Sequence, residues 1–228
     1  MASEDKLQVG YWAIRGLAAP LRMICVYAGA EFESNQYEVI NGDRGQWFSK
    51  KPALKEKNAF MNLPYVKDGD NIVTQSNACL SYLGRKFKLN GDNDQELTKV
   101  EQAICQAFDL RNDAVRLFYS PKEAFAANID GFLQNSVNAH YEKFNLWLEQ
   151  QGTKFLVKNE PTVPDFHLAE LIDQIETLAT RENKTSPLEA FPKLKAYFHD
   201  FQNLPQIQKY LASDFHKLPI NNPSASFR

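Results

Sequence analysis

The sequence predicts an α+β fold: a small βαβ–ββα domain over residues 1–89, followed by an all-helical domain over residues 90–228. Three observations predict it. Strand-like and helix-like segments alternate up to about Lys88. The polar run Asn90-Gly91-Asp92-Asn93-Asp94 then breaks the chain. Beyond it, apolar residues recur at helical spacing almost throughout.

Each element has its own signal. Leu7 to Trp12 reads as a strand running into a turn at Arg15-Gly16. Leu17 to Ala28 places Leu21, Ile24, Cys25 and Ala28 on one helical face, with Pro20 in the first turn, where a missing N–H costs little. Phe32 to Val39 is β-rich, so the opening is a βαβ unit with two parallel strands. Tyr65-Val66-Lys67, the turn Asp68-Gly69-Asp70 and Ile72-Val73 form a hairpin. Ser76 is placed to cap a helix carrying Cys79, Leu80, Leu83 and Phe87. In the second half, helices are expected over Glu96–Phe118 and about Phe125–Gln150. Thr162 and Asp165 make a capping box ahead of Phe166–Leu178, and two shorter helices span Phe191–Phe201 and Pro205–Leu211. The first half matches the thioredoxin-like pattern. Its redox version carries Cys-x-x-Cys at the first helix, where this chain reads Tyr11-Trp12-Ala13-Ile14, which argues against dithiol exchange.

Composition narrows the function. With 43% hydrophobic and 12% aromatic residues, the 228-residue chain has enough apolar surface for a real core. Its 26 basic and 28 acidic residues nearly balance, which argues against nucleic acid or an anionic membrane as main partner. No apolar run approaches the ~18 residues of a membrane span. The opening Met1-Ala2-Ser3-Glu4-Asp5 is acidic and lacks a signal-peptide core. Cys25, Cys79 and Cys105 are too few and too scattered for a disulfide framework, which fits a reducing, cytoplasmic setting. His140, His167, His199 and His216 have no metal-ligand spacing, and no metal site is expected.

Several residues carry chemistry. Tyr11 stands at the carboxyl end of the first strand, where open α/β sheets bind ligands. A phenol there can donate to an anion, although a half-buried Tyr bonded to a nearby carbonyl is the plainer account of that residue alone. Pro64 enters a strand, the place of a cis-proline in thioredoxin-like domains; that isomer would leave the Leu63 backbone able to pair with an extended peptide. Gln75 and Ser76 open a helix whose N-terminus can hold a carboxylate, or Ser76 merely caps it. Arg44, Trp47, Lys50 and Lys51 put cations beside an indole and can hold a second carboxylate, or form a solvated face. Asp109 and Arg111 lie mid-helix, where Asp has poor propensity and so pairs locally or serves a site.

Together these segments resemble a cytosolic glutathione transferase, closest to the mu class. The resemblance rests on Gly10-Tyr11-Trp12-Ala13-Ile14-Arg15-Gly16-Leu17, Asp43-Arg44-Gly45-Gln46-Trp47, Asn62-Leu63-Pro64-Tyr65 and Thr74-Gln75-Ser76-Asn77-Ala78. It continues in Gln106-Ala107-Phe108-Asp109-Leu110-Arg111 and Phe118-Tyr119-Ser120-Pro121, and runs from about Leu7 to Leu218. The chain departs from the class between Tyr37 and Arg44, where the surface loop bordering the cleft is cut back, and its tail after Phe215 does not align.

The resemblance implies conjugation of reduced glutathione, a co-substrate rather than a bound cofactor, to hydrophobic electrophiles in detoxification. Tyr11 would hydrogen-bond the glutathione sulfur. Trp12, Arg44, Trp47, Lys51, Asn62, Leu63, Pro64, Gln75 and Ser76 would hold the tripeptide, and Asp109 would reach the tripeptide of the neighbouring subunit in a homodimer. Phe60 matches an aromatic key inserted into that partner, and Arg85 a residue near the two-fold axis. Ile14, Leu17, Phe108, Arg111, Val115 and Tyr119 would line the electrophile site, with Tyr119 as a second catalytic tyrosine. A non-catalytic protein that sequesters hydrophobic ligands, and a glutathione-dependent isomerase, are the alternative readings on the same fold. The sequence does not name the natural electrophile.

Overall fold

The structure, a computed structural model, describes residues 6–228, so the acidic opening read from residues 1–5 lies outside it. Strand β1 (Leu7–Trp12) leads through a short 3-10 turn into α1 (Ala19–Tyr27) and β2 (Phe32–Tyr37). Helix α2 (Gly45–Lys57), strands β3 (Tyr65–Asp68) and β4 (Asn71–Thr74), and helix α3 (Ser76–Phe87) complete the mixed half. The four strands make one sheet in the order β2-β1-β3-β4. β1 and β2 run parallel, with Leu7 opposite Phe32 and Trp12 opposite Tyr37. β3 is antiparallel to β1, with Val9 opposite Val66, and β4 to β3, with Asp68 opposite Asn71. Val9 and Val66, on the two central strands, are fully buried, as are Leu21, Ile24, Cys25 and Leu83 of the helices that pack beside the sheet.

Helix α2 had no assignment in the sequence beyond its charged cluster. Pro52 sits inside it, and Trp47 is its one buried residue, so neither a clean apolar stripe nor an unbroken propensity marks it. It is held from its start, where the Asp43 carboxylate accepts the Gly45 N–H at 2.9 Å. At α3 the cap lies one residue earlier than expected. The Gln75 carbonyl accepts from the Cys79 N–H at 2.9 Å, so Ser76 is already helical.

The helical half contains α4 (Asp94–Phe118), α5 (Lys122–Gly131), α6 (Asn138–Gln151), α7 (Val163–Arg181), α8 (Pro192–Gln202) and α9 (Pro205–Leu211). Asn93 caps α4 through its side-chain oxygen, 3.0 Å from the Glu96 nitrogen. The single helix expected over Phe125–Gln150 starts earlier, at Lys122, and a π-helical turn at Phe132–Val137 separates α5 from α6. The extra residue per turn carries Ser136 and His140 toward α4, where both bond the Asp113 carboxylate, at 2.7 and 3.2 Å. The capping box of α7 is present as expected: Asp165 accepts from the Thr162 N–H at 2.7 Å and from the Leu156 N–H at 3.0 Å. Buried to this degree, Asp165 is pushed up to about 6 by desolvation, against the pull of those donors.

The chain forms two compact units. Residues up to Phe87 form the first, but Gln206–Ser224 and Arg228 cluster with them; Lys88–Pro205 and Ala225–Phe227 form the second. The C-terminal segment returns to the sheet unit through its backbone, as the site geometry makes plain.

Candidate active site

Tyr11 stands one residue before the end of β1 and is 7% exposed, and the turn that follows is held by a set of hydrogen bonds. The Ala13 N–H donates to the Tyr37 carbonyl at 2.8 Å and the Ile14 N–H to the Trp12 carbonyl at 2.7 Å. The N–H groups of Arg15 and Gly16 donate to the carbonyls of Pro219 and Ile220, at 2.8 and 3.1 Å. From α1, the buried Arg22 guanidinium donates to the Ile14 carbonyl at 2.7 Å, the Trp12 carbonyl at 3.3 Å and the Ser34 hydroxyl at 3.0 Å. Gly16 has φ +38°, and a Cβ there would stand 2.8 Å from the Tyr11 ring and 3.1 Å from its hydroxyl oxygen. The phenol therefore occupies the space a side chain at position 16 would need, and only glycine fits.

The register of β3 against β1, with Gly10 opposite Tyr65, brings the segment before β3 alongside the end of β1. The Leu63–Pro64 peptide is cis, as read from its place before β3. Thr74 ties the segment down: its hydroxyl donates to the Asn62 carbonyl at 2.7 Å and accepts the Asn62 N–H at 3.1 Å. Gln75 is exposed and has φ +71°, a left-handed conformation uncommon outside glycine, at the mouth of α3. Strained backbone of this kind collects at ligand sites. Ser76 follows it, half-buried, at the end of the helix that carries the positive dipole.

Arg44 and Lys51 are brought to the indoles: Arg44 lies 6.0 Å above the Trp12 ring and Lys51 5.8 Å above the Trp47 ring. Trp47 itself is only 1% exposed. It packs 5.3 Å from Tyr37 and 6.2 Å from Tyr65, so its ring is chiefly a core anchor that fixes α2 and the cation above it. The loop between Tyr37 and Arg44 closes as a two-residue turn. Ile40 and Asp43 exchange backbone bonds at 3.1 and 2.9 Å across Asn41 and Gly42, whose φ angles are +51° and +84°.

The thiols offer no competing nucleophile in this unit. Cys25 and Cys79 are buried, and desolvation pushes each thiol up to about 12. In the helical unit, Phe108, Arg111, Val115 and Tyr119 follow at intervals of three and four along α4, one face of that helix. Arg111 lies 5.7 Å above the Phe108 ring, and Tyr119 closes the helix with 37% of its surface exposed. Asp109 is exposed on the same helix. Among the described residues no group of His, Cys, Asp and Glu is arranged to hold a metal, and no helix is long and apolar enough to cross a membrane.

Comparison with known proteins fits this geometry. Residues 7–85 match the model of the glutathione S-transferase N-terminal domain, and residues 108–214 that of the C-terminal domain. The chain is 34% identical to mouse glutathione S-transferase Mu 5, across 99% of this chain and 97% of that one. It is 33% identical to human glutathione S-transferase Mu 3, across 100% and 97%. The chain belongs to the glutathione S-transferase family. The fold of this transferase also matches the crystal structure of the glutathione S-transferase Blo t 8, with TM-score 0.86 and 26% identity over 96% of this chain and 99% of the other. A pi-class enzyme of Onchocerca volvulus follows at TM-score 0.81 and 25% identity, with the same coverage. The sequence relatives place the transferase beside the mu class.

Two features of the transferase's site escaped the sequence. Arg22 stands beside Leu21 on a helix read for its apolar face, and a lone Arg there looks like a solvated edge. The tail from Pro219 acts through main-chain carbonyls, which leave no side-chain pattern to read.

Proposed function

We propose that this transferase lowers the pKa of bound glutathione by a hydrogen bond from Tyr11 and directs the thiolate at hydrophobic electrophiles, as a cytoplasmic homodimer engaged in detoxification. The observation that carries the reading is the turn after β1. The N–H groups of residues 13–16 are all engaged by carbonyls, so the backbone of the turn offers a sulfur no donor, and the Tyr11 phenol packs directly against that turn at Gly16. A free thiol has pKa about 8.5, so only a few per cent is thiolate at neutral pH. A donor that bonds the anion more strongly than the thiol shifts that balance. The thiolate then forms the C–S bond while the electrophile's electron pair moves onto oxygen or a leaving group. Leu63 pairs its backbone with the cysteinyl part, Gln75 and Ser76 hold the γ-glutamyl carboxylate, and Trp12, Arg44, Trp47, Lys51, Asn62 and Pro64 hold the remainder. A panel of electrophiles assayed with and without glutathione tests the reading: adduct formation that is saturable in glutathione supports it, and glutathione binding with no turnover on any of them favours a sequestering protein.

The residues that the family resemblance assigns to the electrophile are Ile14 and Leu17 in the sheet unit and, in the helical unit, the α4 stripe of Phe108, Arg111, Val115 and Tyr119. Tyr119 acts there as a general acid, and its effect depends on the substrate. Tyr119→Phe slows epoxides and enones, which build negative charge on oxygen, by roughly 10²-fold. Activated aromatic halides need no proton and keep their rate, with glutathione KM near wild type for both. Equal slowing of both classes, or an effect confined to glutathione KM, contradicts this role.

The dimer rests on Phe60, which is 79% exposed in a polar stretch, Lys55-Glu56-Lys57-Asn58-Ala59. Its seat on the partner is a groove of about 260 Å³ between α4 and α6, lined by Gln102, Ala103, Gln106, Lys143, Phe144 and Trp147. A two-fold axis repeats the contact, so Asp109 and Arg85 of each protomer fall near the shared surface. Losing one buried Phe costs about 3–5 kcal/mol, and the symmetry doubles it. Light scattering on diluted Phe60→Ala is expected to show monomer where wild type is dimer; a dimer as tight as wild type contradicts the assignment.

A further inference from the structure

The C-terminal segment is the part of the chain that the family resemblance did not absorb, and it is built onto the catalytic turn. Phe215 starts it, with its ring 5.5 Å from Phe32 and 5.9 Å from the Arg22 guanidinium. Pro219 and Ile220 then present their carbonyls to the N–H groups of Arg15 and Gly16, at 2.8 and 3.1 Å. Ile220 is 6% exposed and Asn221 4%, so the segment is seated rather than draped. Further on, in the helical unit, the N–H groups of Ser226 and Phe227 donate to the Phe118 carbonyl at 2.8 and 3.3 Å, and Phe227 is fully buried against Phe118. The segment is thus fixed at both ends.

We infer that Pro219 and Ile220 are positioning residues for catalysis: they hold the Arg15–Gly16 turn, and through Gly16 they hold the Tyr11 hydroxyl where the glutathione sulfur meets it. The chain of contacts is short. The Ile220 carbonyl fixes the Gly16 N–H, and the Gly16 Cα is the surface on which the Tyr11 ring rests, its hydroxyl oxygen 3.1 Å from the place a Cβ would take. Gly16 has φ +38°, so this turn does not hold itself by backbone preference and needs outside partners. Arg22 secures the carbonyl side of the turn at Trp12 and Ile14; the tail secures the N–H side at Arg15 and Gly16. Without the tail those two donors turn to water, and the ring loses its fixed backing. A donor displaced by a fraction of an ångström forms a weaker bond to the thiolate, because preorganised geometry is what the anion gains over water. The inference rests on Tyr11 as that donor.

Two variants test it, a chain ending at Leu218 and the full-length Ile220→Gly, which keeps the carbonyl but frees the segment. Each is titrated with glutathione bound, following thiolate absorbance. Both are expected to raise the bound-thiol pKa relative to wild type, the truncation by roughly one unit, which is tenfold less thiolate at a fixed pH below both values. At that pH kcat falls with it, while glutathione KM stays near wild type, because Arg44, Lys51, Gln75 and Ser76 lie on other elements. In a Tyr11→Phe background the truncation is expected to add no further rise. If the shorter chain does not fold, Ile220→Gly alone carries the comparison. A bound-thiol pKa unchanged in the variants, with only electrophile KM altered, overturns the inference and makes the tail a wall of the groove of about 520 Å³ that it shares with Ala13, Ile14 and the Asn41–Gly42 turn. A rise that persists undiminished without the Tyr11 hydroxyl overturns it as well. If wild type itself binds glutathione with the pKa of a free thiol, the donor role of Tyr11 fails, and the tail's role fails with it; a lowered wild-type value that the variants retain removes the tail's role alone.

Discussion

Replacing Tyr11 by Phe is expected to lower kcat by about 10²–10³-fold, the usual cost of removing one donor to a reacting anion. The phenyl ring keeps its place against Gly16, so the turn and the tripeptide contacts persist and glutathione KM stays near wild type. The loss is large because the backbone of the turn cannot substitute: the N–H groups of Ala13, Ile14, Arg15 and Gly16 already donate to carbonyls. Steady-state kinetics with saturating electrophile, at a pH below the ionisation of the free thiol, separate the two parameters. Unchanged kcat assigns activation to another group. A rise confined to glutathione KM makes Tyr11 a binding residue only.

Arg22→Met is expected to destabilise the fold by about 2–4 kcal/mol, since a hydrogen bond from a charged donor contributes about 1.5–3 kcal/mol. Methionine fills much of the same space without a donor. The Ile14 and Trp12 carbonyls and the Ser34 hydroxyl then lose partners at 2.7, 3.3 and 3.0 Å; the Ile14 bond is buried, and its carbonyl left unsatisfied costs about 1–3 kcal/mol, while the other two, half-buried, cost less. Urea unfolding read at the midpoint, with an unchanged slope, reports the difference. A loss under about 1 kcal/mol means that water replaces the guanidinium in the turn.

Much of this site was legible because its residues announce themselves in local patterns. Tyr11 stands near the end of an apolar strand, Pro64 precedes one, and Gln75-Ser76 opens an amphipathic helix; in each case periodicity gave the element and the element gave the place. Thr162 and Asp165 spelled their capping box outright. What stayed hidden is tertiary. Helix α2 carries Pro52 and a single buried residue, so propensity and periodicity both argue against it, and it forms because Trp47 anchors it among Tyr37, Met61 and Tyr65. The π-helical turn at Phe132–Val137 has no sequence mark; it serves bonds to Asp113 on a different helix. How deep the Trp47 ring lies was not legible either, because an indole beside two lysines looks the same in sequence whichever way its ring points. The return of Gln206–Ser224 to the first unit was invisible because backbone carbonyls have no residue code.

The central claim is that Tyr11 activates the glutathione thiol, and the direct measurement is the ionisation of glutathione bound to wild type and to Tyr11→Phe, followed by thiolate absorbance across pH. The account predicts a bound-thiol pKa well below the free value of about 8.5 in wild type, and a return toward that value in the variant. The same lowered pKa in both proteins, or a bound thiol that ionises like free thiol in wild type, would contradict it.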